Sequence, residues 1–532
     1  MKKWMVVAVL ACAQFIMVLD STVMNVSISE IVTDLNTSVS GLQVAITFYT
    51  LVMAAFMLTG GKFGDIWGRL KAFKIGLFIY GIGSFITSLS FGLPMLILGW
   101  SFVEGLGAVL VIPAIVALVA ANYKGKDRVV AYSILGAVSG AAAAAGPLIG
   151  GAVTTYLSWR YVFAAETVIV LIILIFFASK IKDIEVKEKS TLDIPSVLLS
   201  VSGIFLIVLA ILQSKTWGWI EPLSAPTING QPFTPFGFSV VPFMIAIGVG
   251  ILWFFVQRQI KLKSKNKSPL LDVSMLRIPA LRSGISNITI QYLLTGGLFF
   301  ILPVYLQMTL GLDALSTGLK ILPLSIALVL FSLVGARLVS KYSPKRIIVT
   351  GKYLIVAGLF ALLLSIGPDL KDFLFQIGMF LVGGGMGLMA SQIGNVVLSS
   401  VDETKSSEAG GLQGTFQNLG SSLGTALIGS VLIASLTTGF VTGATSTTST
   451  LPSDVKQYIS DNSKAGISVV SKDDVYKYSI DKGLSESEAT EISDYYSNAQ
   501  MASLKKAMLA LTFLALLSLL FSKNLPDTVI KK

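Results

Sequence analysis

Long apolar runs separated by short polar segments make up almost the whole chain. Fourteen of them are legible, at about 4–28, 41–61, 72–91, 94–121, 131–153, 159–179, 193–213, 237–257, 283–305, 315–339, 347–366, 372–399, 411–438 and 502–522. Runs of roughly 18 apolar residues or more are long enough to cross a bilayer as helices. The pattern therefore predicts an all-α membrane protein with fourteen spans, and an even number returns both termini to one side. One stretch breaks the pattern. Residues 439–500 open with a Ser/Thr linker and continue with polar helical signals near Pro452–Asn462 and from Leu484. There, Ser485 and Glu488 form a capping-box pair. This segment is too polar to span and is expected to form a small helical hairpin leading into the last span.

Spans 1–6 and 9–14 can be paired as two six-helix halves, with spans 7 and 8 inserted between them. That divides the chain into residues 1–180, a 181–280 linker with the two extra spans, and 281–532. Duplicated halves around a central site are the common plan of secondary transporters. A faint repeat supports the pairing. Gly335–Lys345 stands in the second half where Gly61–Lys71 stands in the first, with Val339 at the position of Asp65.

Composition agrees, with 54% hydrophobic and 13% charged residues and a mean hydropathy of +0.78. The formal charge of +11 is topological. Lys and Arg cluster in alternate loops, at 62–74, 124–128, 180–189, 258–267, 341–346 and 523–532, and near the start at Lys2 and Lys3. This is the positive-inside distribution, which places both termini in the cytoplasm and 439–500 outside. It also removes nucleic acid as the partner of the basic residues. The opening MKKWMVVAVLACA has the look of a signal peptide, but its apolar run continues to Leu19, so it reads as the first span. With Cys12 as the single cysteine and no histidine, neither an internal disulfide nor a Cys/His metal site can form. No nucleotide-binding loop and no nucleophile–base pair is present, so an enzyme, a nucleotide-driven pump and a metal or organic cofactor are not expected.

Ionisable groups within spans are costly and mark function by default. Asp20 in span 1, Glu104 in span 4 and Glu166 in span 6 lie at matching depth, roughly 10–15 Å below the outer helix ends at about 1.5 Å per residue. Arg160, just above Glu166, is its expected ion-pair partner, and Asp20 could instead bond its neighbours Ser21 and Thr22. The second half has no acid inside a span. It carries amides instead, namely Asn287, Gln291, Gln392, Asn395, Gln413, Gln417 and Asn418. This suggests protons handled by the first half and substrate hydrogen-bonded by the second, although such amides also serve plain helix association. Span 5 has a stripe of small residues, Gly136, Gly140, Gly146, Gly150 and Gly151, with Pro147 inside it. Such a stripe allows close helix approach, and the proline predicts a bend.

Three of these stretches resemble the fourteen-helix multidrug/proton antiporters of the major facilitator superfamily. GAVSGAAAAAGPLIGG at 136–151 is similar to that family's antiporter motif, with its first spacer altered. LDSTVMNVSIS at 19–29 resembles its first-span motif, matching at Asp20, Thr22 and Asn25. GKFGDIWGRLK at 61–71 resembles the superfamily's loop motif, which implies that Gly61, Asp65, Gly68 and Arg69 latch the cytoplasmic side, Asp65 pairing with Arg69. In span 4, where the family has a buried arginine and a glutamine, this chain has Ser101 and Glu104. In span 6 it has Glu166 in place of an asparagine. Both departures add carboxylates. The resemblance implies a major facilitator fold in the cytoplasmic membrane, of bacterial type and monomeric, driven by the proton motive force and exporting amphipathic, cationic compounds. Asp20, Glu104 and Glu166 are the proton-coupling candidates, with Glu166 ranked last because span 6 is peripheral in that fold. Asn25 and the amides from Gln291 to Asn418 are the substrate-binding candidates. Export of a lipid or lipid-like metabolite is the alternative, with spans 7 and 8 and segment 439–500 as guides. Proton-coupled uptake shares the architecture, but the 136–151 motif argues against it.

Overall fold

The computed structural model describes residues 4–37, 39–177, 191–367, 369–402, 405–447, 449–463, 466–467 and 469–528. Among the described residues, fourteen helices are long and apolar enough to cross a membrane: Met5–Met24, Val44–Trp67, Arg69–Ser88, Leu93–Asn122, Val130–Tyr156, Arg160–Phe177, Ile194–Ser214, Val240–Ser264, Pro279–Thr309, Leu315–Leu338, Pro344–Ser365, Asp372–Ser399, Glu408–Ala444 and Glu486–Ser522. They are spans 1 to 14 below. The order matches the sequence pattern, and the chain is a multi-pass membrane protein. The linker 181–190, part of the 181–280 segment, lies outside the described residues. The first and last described residues pack at the ends of spans 4 and 11, called the terminal face below. Trp4 stacks on Tyr123, past the end of span 4, and the Lys345 amide donates to Pro526 O.

Local chemistry sets several boundaries. Span 2 gives way to span 3 at Gly68, whose φ of +94° is left-handed backbone that glycine adopts without strain. Asp193, Asp313 and Ser343 cap the first turns of spans 7, 10 and 11 with their side-chain oxygens. The helix of span 5 runs through Pro147 without interruption, from Gly125 to Tyr156. Spans 4, 6 and 9 each contain a π-helical stretch, Ile97–Glu104, Ile173–Phe177 and Val304–Thr309.

Buried apolar side chains gather into two large cores. One draws on spans 1 to 6, from Val6 to Ile173; the other draws mainly on spans 7 to 14 and takes in Leu51, Ala54 and Leu58 of span 2. The small-residue stripe of span 5 lies between them. A Cβ on Gly146 would sit 1.8 Å from Thr22 Oγ1 of span 1, and one on Gly140 would sit 1.8 Å from Leu328 Cδ2 of span 10. Gly136 faces the carbonyl of Ala390 on span 12, Gly150 faces Val23, and Pro147 O approaches Gly318. The stripe thus lets one helix touch both cores. At the terminal face, Gly410, Gly411 and Gly414 of span 13 close on Val116 of span 4 and Met57 of span 2.

Segment 439–500 forms more than a hairpin. Helices Ser453–Asn462 and Lys472–Asp481 precede a long helix that starts at Glu486 and becomes span 14. The Ser485–Glu488 capping box is present, and a second one joins Ser471 to Asp474. Leu436, Phe440, Leu451, Ile459, Ile492 and Tyr496 make a small core of their own.

Candidate functional site

The three intramembrane acids converge. Asp20 and Glu104 are fully buried and Glu166 is 1% exposed. One carboxylate oxygen from each lies within 4.8 Å of the other two. The backbone explains how they meet. A Cβ on Gly83 of span 3 would fall 2.5 Å from the Glu104 amide nitrogen, and one on Gly107 would fall 2.4 Å from that of Tyr80. Spans 3 and 4 therefore run almost backbone to backbone, which brings Tyr80 and Ser84 beside span 6. Glu104 ends the π-helical stretch of span 4, a local geometry that recurs at functional sites.

Two of the three acids have donors of their own. Trp100 donates its indole N–H to Asp20 Oδ1 and Oδ2, at 2.8 and 3.0 Å. Tyr80 and Ser84 donate to Glu166 Oε2, at 3.2 and 3.4 Å. Neither oxygen of Glu104 accepts a hydrogen bond from any described residue, nor does Glu166 Oε1. No Lys or Arg forms an ion pair with the three among the described residues. Three carboxylates this close, enclosed and without a base, cannot all be charged, because each added charge is opposed by burial and by its neighbours. The spacing is also one that oxygen ligands of a cation can adopt at distances of about 2.3–2.6 Å. The expectation of no metal site was framed on cysteine and histidine, and this all-carboxylate group is chemically able to take an ion.

Two expectations are corrected. Arg160 does not pair with Glu166. It pairs with Asp34, just beyond span 1, donates to Ser90 O at 3.1 and 2.6 Å, and lies over the Trp159 ring. Its long side chain reaches outward to the loop carbonyl and carboxylate, where the charge stays hydrated, which leaves Glu166 to the hydroxyls. The neighbours of Asp20 do not bond it either. Ser21 and Thr22 turn back to the carbonyls of Val18 and Leu19, as hydroxyls in helices do. Trp100, Tyr80 and Ser84 were not singled out in the sequence. A polar tip on an aromatic or a serine in a span is too common to stand out alone.

The candidate latch residues lie at the terminal face. Arg69 donates to Ala117 O of span 4 at 3.3 Å. Glu408, at the start of span 13, feels the charges of Lys62 and Asp65 and accepts from the Asp272 amide at 2.7 Å. Asp272 is held by Lys263 at 2.8 Å and Lys405 at 2.5 Å. The 61–71 loop motif thus faces an ionic group shared by the segment after span 8 and the start of span 13. Burial alone would push the Asp272 carboxyl up, but the two ammonium groups hold it well below the usual carboxylate range.

Most of the amides bond to backbone or to neighbouring hydroxyls. Gln392 donates to Gly335 O and Ser391 Oγ, Asn395 accepts from Ser399, and Asn418 donates to Gly414 O. Asn287 donates to Ser283 O and to Phe521 O at the end of span 14. Gln291 and Gln417 are half-buried, and Gln413 keeps a side-chain oxygen that accepts no bond from the described residues. The Asn25 side chain lies outside the described residues. A buried cation went unnoticed in the sequence. Lys352 in span 11 is 1% exposed and donates to Ser518 O and Ser522 Oγ, fastening the end of span 14.

Comparison with known proteins agrees with this architecture. A puromycin resistance protein from Streptomyces alboniger is 28% identical over 86% of this chain and 87% of its own length. A multidrug resistance protein from Mycobacterium tuberculosis is 25% identical over 79% of this chain and 74% of that one. A riboflavin transporter from Clostridioides difficile is 26% identical over 82% and 90%. Among solved structures, the proton:xylose symporter XylE superposes with a TM-score of 0.55 at 13% identity, covering 100% of this chain and 97% of that one. The human organic anion transporter MFSD10 gives 0.53 at 12%, covering 97% and 100%. These likenesses concern the fold. The family model of the Major Facilitator Superfamily matches residues 10–425, and the chain belongs to that superfamily of transporters.

Proposed function

We propose that this transporter is a proton-coupled antiporter that exports amphipathic, cationic compounds across the cytoplasmic membrane, working as a monomer with both termini in the cytoplasm. The enclosed cluster of Asp20, Glu104 and Glu166 is the observation that supports this reading. A site of three carboxyls without a base is neutral only when it holds protons or a cation, so proton and cationic substrate compete for the same charge. Glu104 is the exchangeable member, since among the described residues no donor holds its oxygens. Asp20, held by Trp100, supplies the standing negative charge. Glu166 shares the site through Tyr80 and Ser84, so its place in a peripheral span does not remove it from the chemistry. Span 5, packed between spans 1 and 10, is the hinge line on which the two cores would rock. The ionic group around Asp272 and Glu408, facing Lys62 and Asp65, would latch the cytoplasmic side between strokes.

The test uses purified protein in liposomes that enclose a pH-sensitive dye. A pH gradient is imposed and lipophilic cations such as ethidium are added one at a time. Substrate-dependent proton movement supports antiport; transport of the cation that leaves internal pH unchanged contradicts it.

A further inference from the structure

The chain between spans 7 and 8 carries an element that transport chemistry does not use. Past Trp217, where the helix ends, Gly218 turns the backbone at φ +85°, and a Cβ there would lie 1.9 Å from Glu221 O. Two short strands follow, Thr227–Ile228 against Gln231–Pro232, joined by Asn229 and Gly230, both at positive φ. That is the Asn-Gly turn suited to a tight hairpin. The element is tied down at its base. Ser239 N donates to Ile220 O at 2.8 Å, Ser239 Oγ donates to Gly218 O at 2.7 Å, and Phe233 N donates to Pro226 O at 2.7 Å.

Its surface is the reverse of a hydrated loop. Ile220, Ile228, Phe233, Phe236 and Phe238 are all exposed, Phe236 to 89%. Phe236 also sits at φ +52°, a strained position for a bulky side chain. No charged residue occurs between Glu221 and Arg258. The apolar surface continues without a break into span 8. Phe236 lies against Phe243, and Ile247, Trp253 and Phe254 below it are exposed on the lipid-facing side. Aromatic, uncharged surface at the end of a span matches the bilayer interface.

At the base of this element, where residues 218–223 leave span 7, is a cavity of about 430 Å³ facing span 13. It is an open pocket, lined by Trp219, Ile220 and Leu223 on one side and by Ile433 and Ala434 on the other. The hydroxyls that line it are already engaged. Ser430 accepts from Trp219 Nε1 at 3.1 Å, and Ser214 donates to Ile211 O. What remains is an apolar space within the range of small-ligand pockets, roughly 300–1,000 Å³, with the exposed Glu221 at its rim.

We infer that the 218–240 hairpin rests in the membrane leaflet, and that the cavity at its base takes an acyl chain from that leaflet. Continuity with the lipid-facing side of span 8 selects lipid as the occupant. This assignment stands whether or not protons drive transport.

Two measurements test it. In a Cys12→Ser background, a spin label at Phe236→Cys should be more accessible to oxygen than to a water-soluble nickel chelate; the reverse order overturns the placement. In liposomes of phosphatidylcholine bearing a mid-chain diazirine, photolysis should label residues 218–223 and 430–434. Ala434→Trp, which fills the cavity, should lower that labelling at least tenfold while labelling near Trp253 persists as the control for a folded protein. Labelling confined to span 8, or labelling of the cavity displaced by ethidium rather than by unlabelled lipid, overturns the acyl-chain assignment.

Discussion

Trp100 lies flat on Tyr49, with ring centroids 4.8 Å apart, and donates its indole N–H to both oxygens of Asp20. One aromatic pair therefore fixes the carboxylate of span 1 against spans 2 and 4. Trp100→Phe keeps the ring stack and removes the donor. A hydrogen bond to a charged group contributes about 1.5–3 kcal/mol, so exchange is expected to slow by tenfold or more, each ~1.4 kcal/mol being a factor of ten. Uptake into everted vesicles measures this, and an unchanged rate with normal expression would separate Trp100 from the site.

Gly83 is one of two glycines, with Gly107, at which spans 3 and 4 meet backbone to backbone. A methyl group there would press on the backbone of Glu104, which cannot swing aside as a side-chain tip can. Gly83→Ala should push the two spans apart and abolish exchange while leaving an inserted, monodisperse protein. Size-exclusion chromatography together with transport distinguishes this from misfolding.

The contact between span 5 and span 10 predicts a compensating pair. Gly140→Val drives side-chain atoms into Leu328 and should cut transport by more than tenfold. Leu328→Ala clears that space, so the double variant should recover most of the rate. Additive losses in the cycle would mean that the two residues do not meet during transport.

Asp272 gives a pH prediction. Lys263 and Lys405 hold its carboxyl below the unfolded value of about 3.9. Its stabilising contribution is therefore complete above about pH 4 and is lost as pH falls through the lower folded value. Melting temperature in detergent should fall on acidification below pH ~4 in the wild type. Asp272→Asn should start lower at neutral pH and lack that part of the fall; an identical profile in both proteins would detach Asp272 from the stability of the terminal face.

The spans were legible because lipid demands long uninterrupted apolar helices, and the Ser485–Glu488 cap because its two residues stand at a fixed spacing. Asp20, Glu104 and Glu166 stood out because charge within a span is costly, but their meeting point did not. It depends on Gly83 and Gly107 drawing spans 3 and 4 together, and glycine in a membrane helix has many uses. Arg160 was misassigned because distance along a helix says nothing of which way a long side chain reaches. The helix at Lys472–Asp481 escaped notice because its polar residues carry no apolar period, its signal being the small Ser471–Asp474 cap. Lys352 was passed over because its partners are a carbonyl and a hydroxyl near the far end of another span, not a carboxylate.

Glu104 is the residue on which the reading of the carboxylate cluster turns. The most direct measurement follows proton movement in liposomes on addition of ethidium, comparing the wild type with Glu104→Gln at matched incorporation, alongside equilibrium binding of ethidium. Proton movement lost in the variant, with ethidium still bound within a few-fold, is the expected result. Full substrate-driven proton exchange in Glu104→Gln would contradict it and leave the enclosed carboxylates as packing.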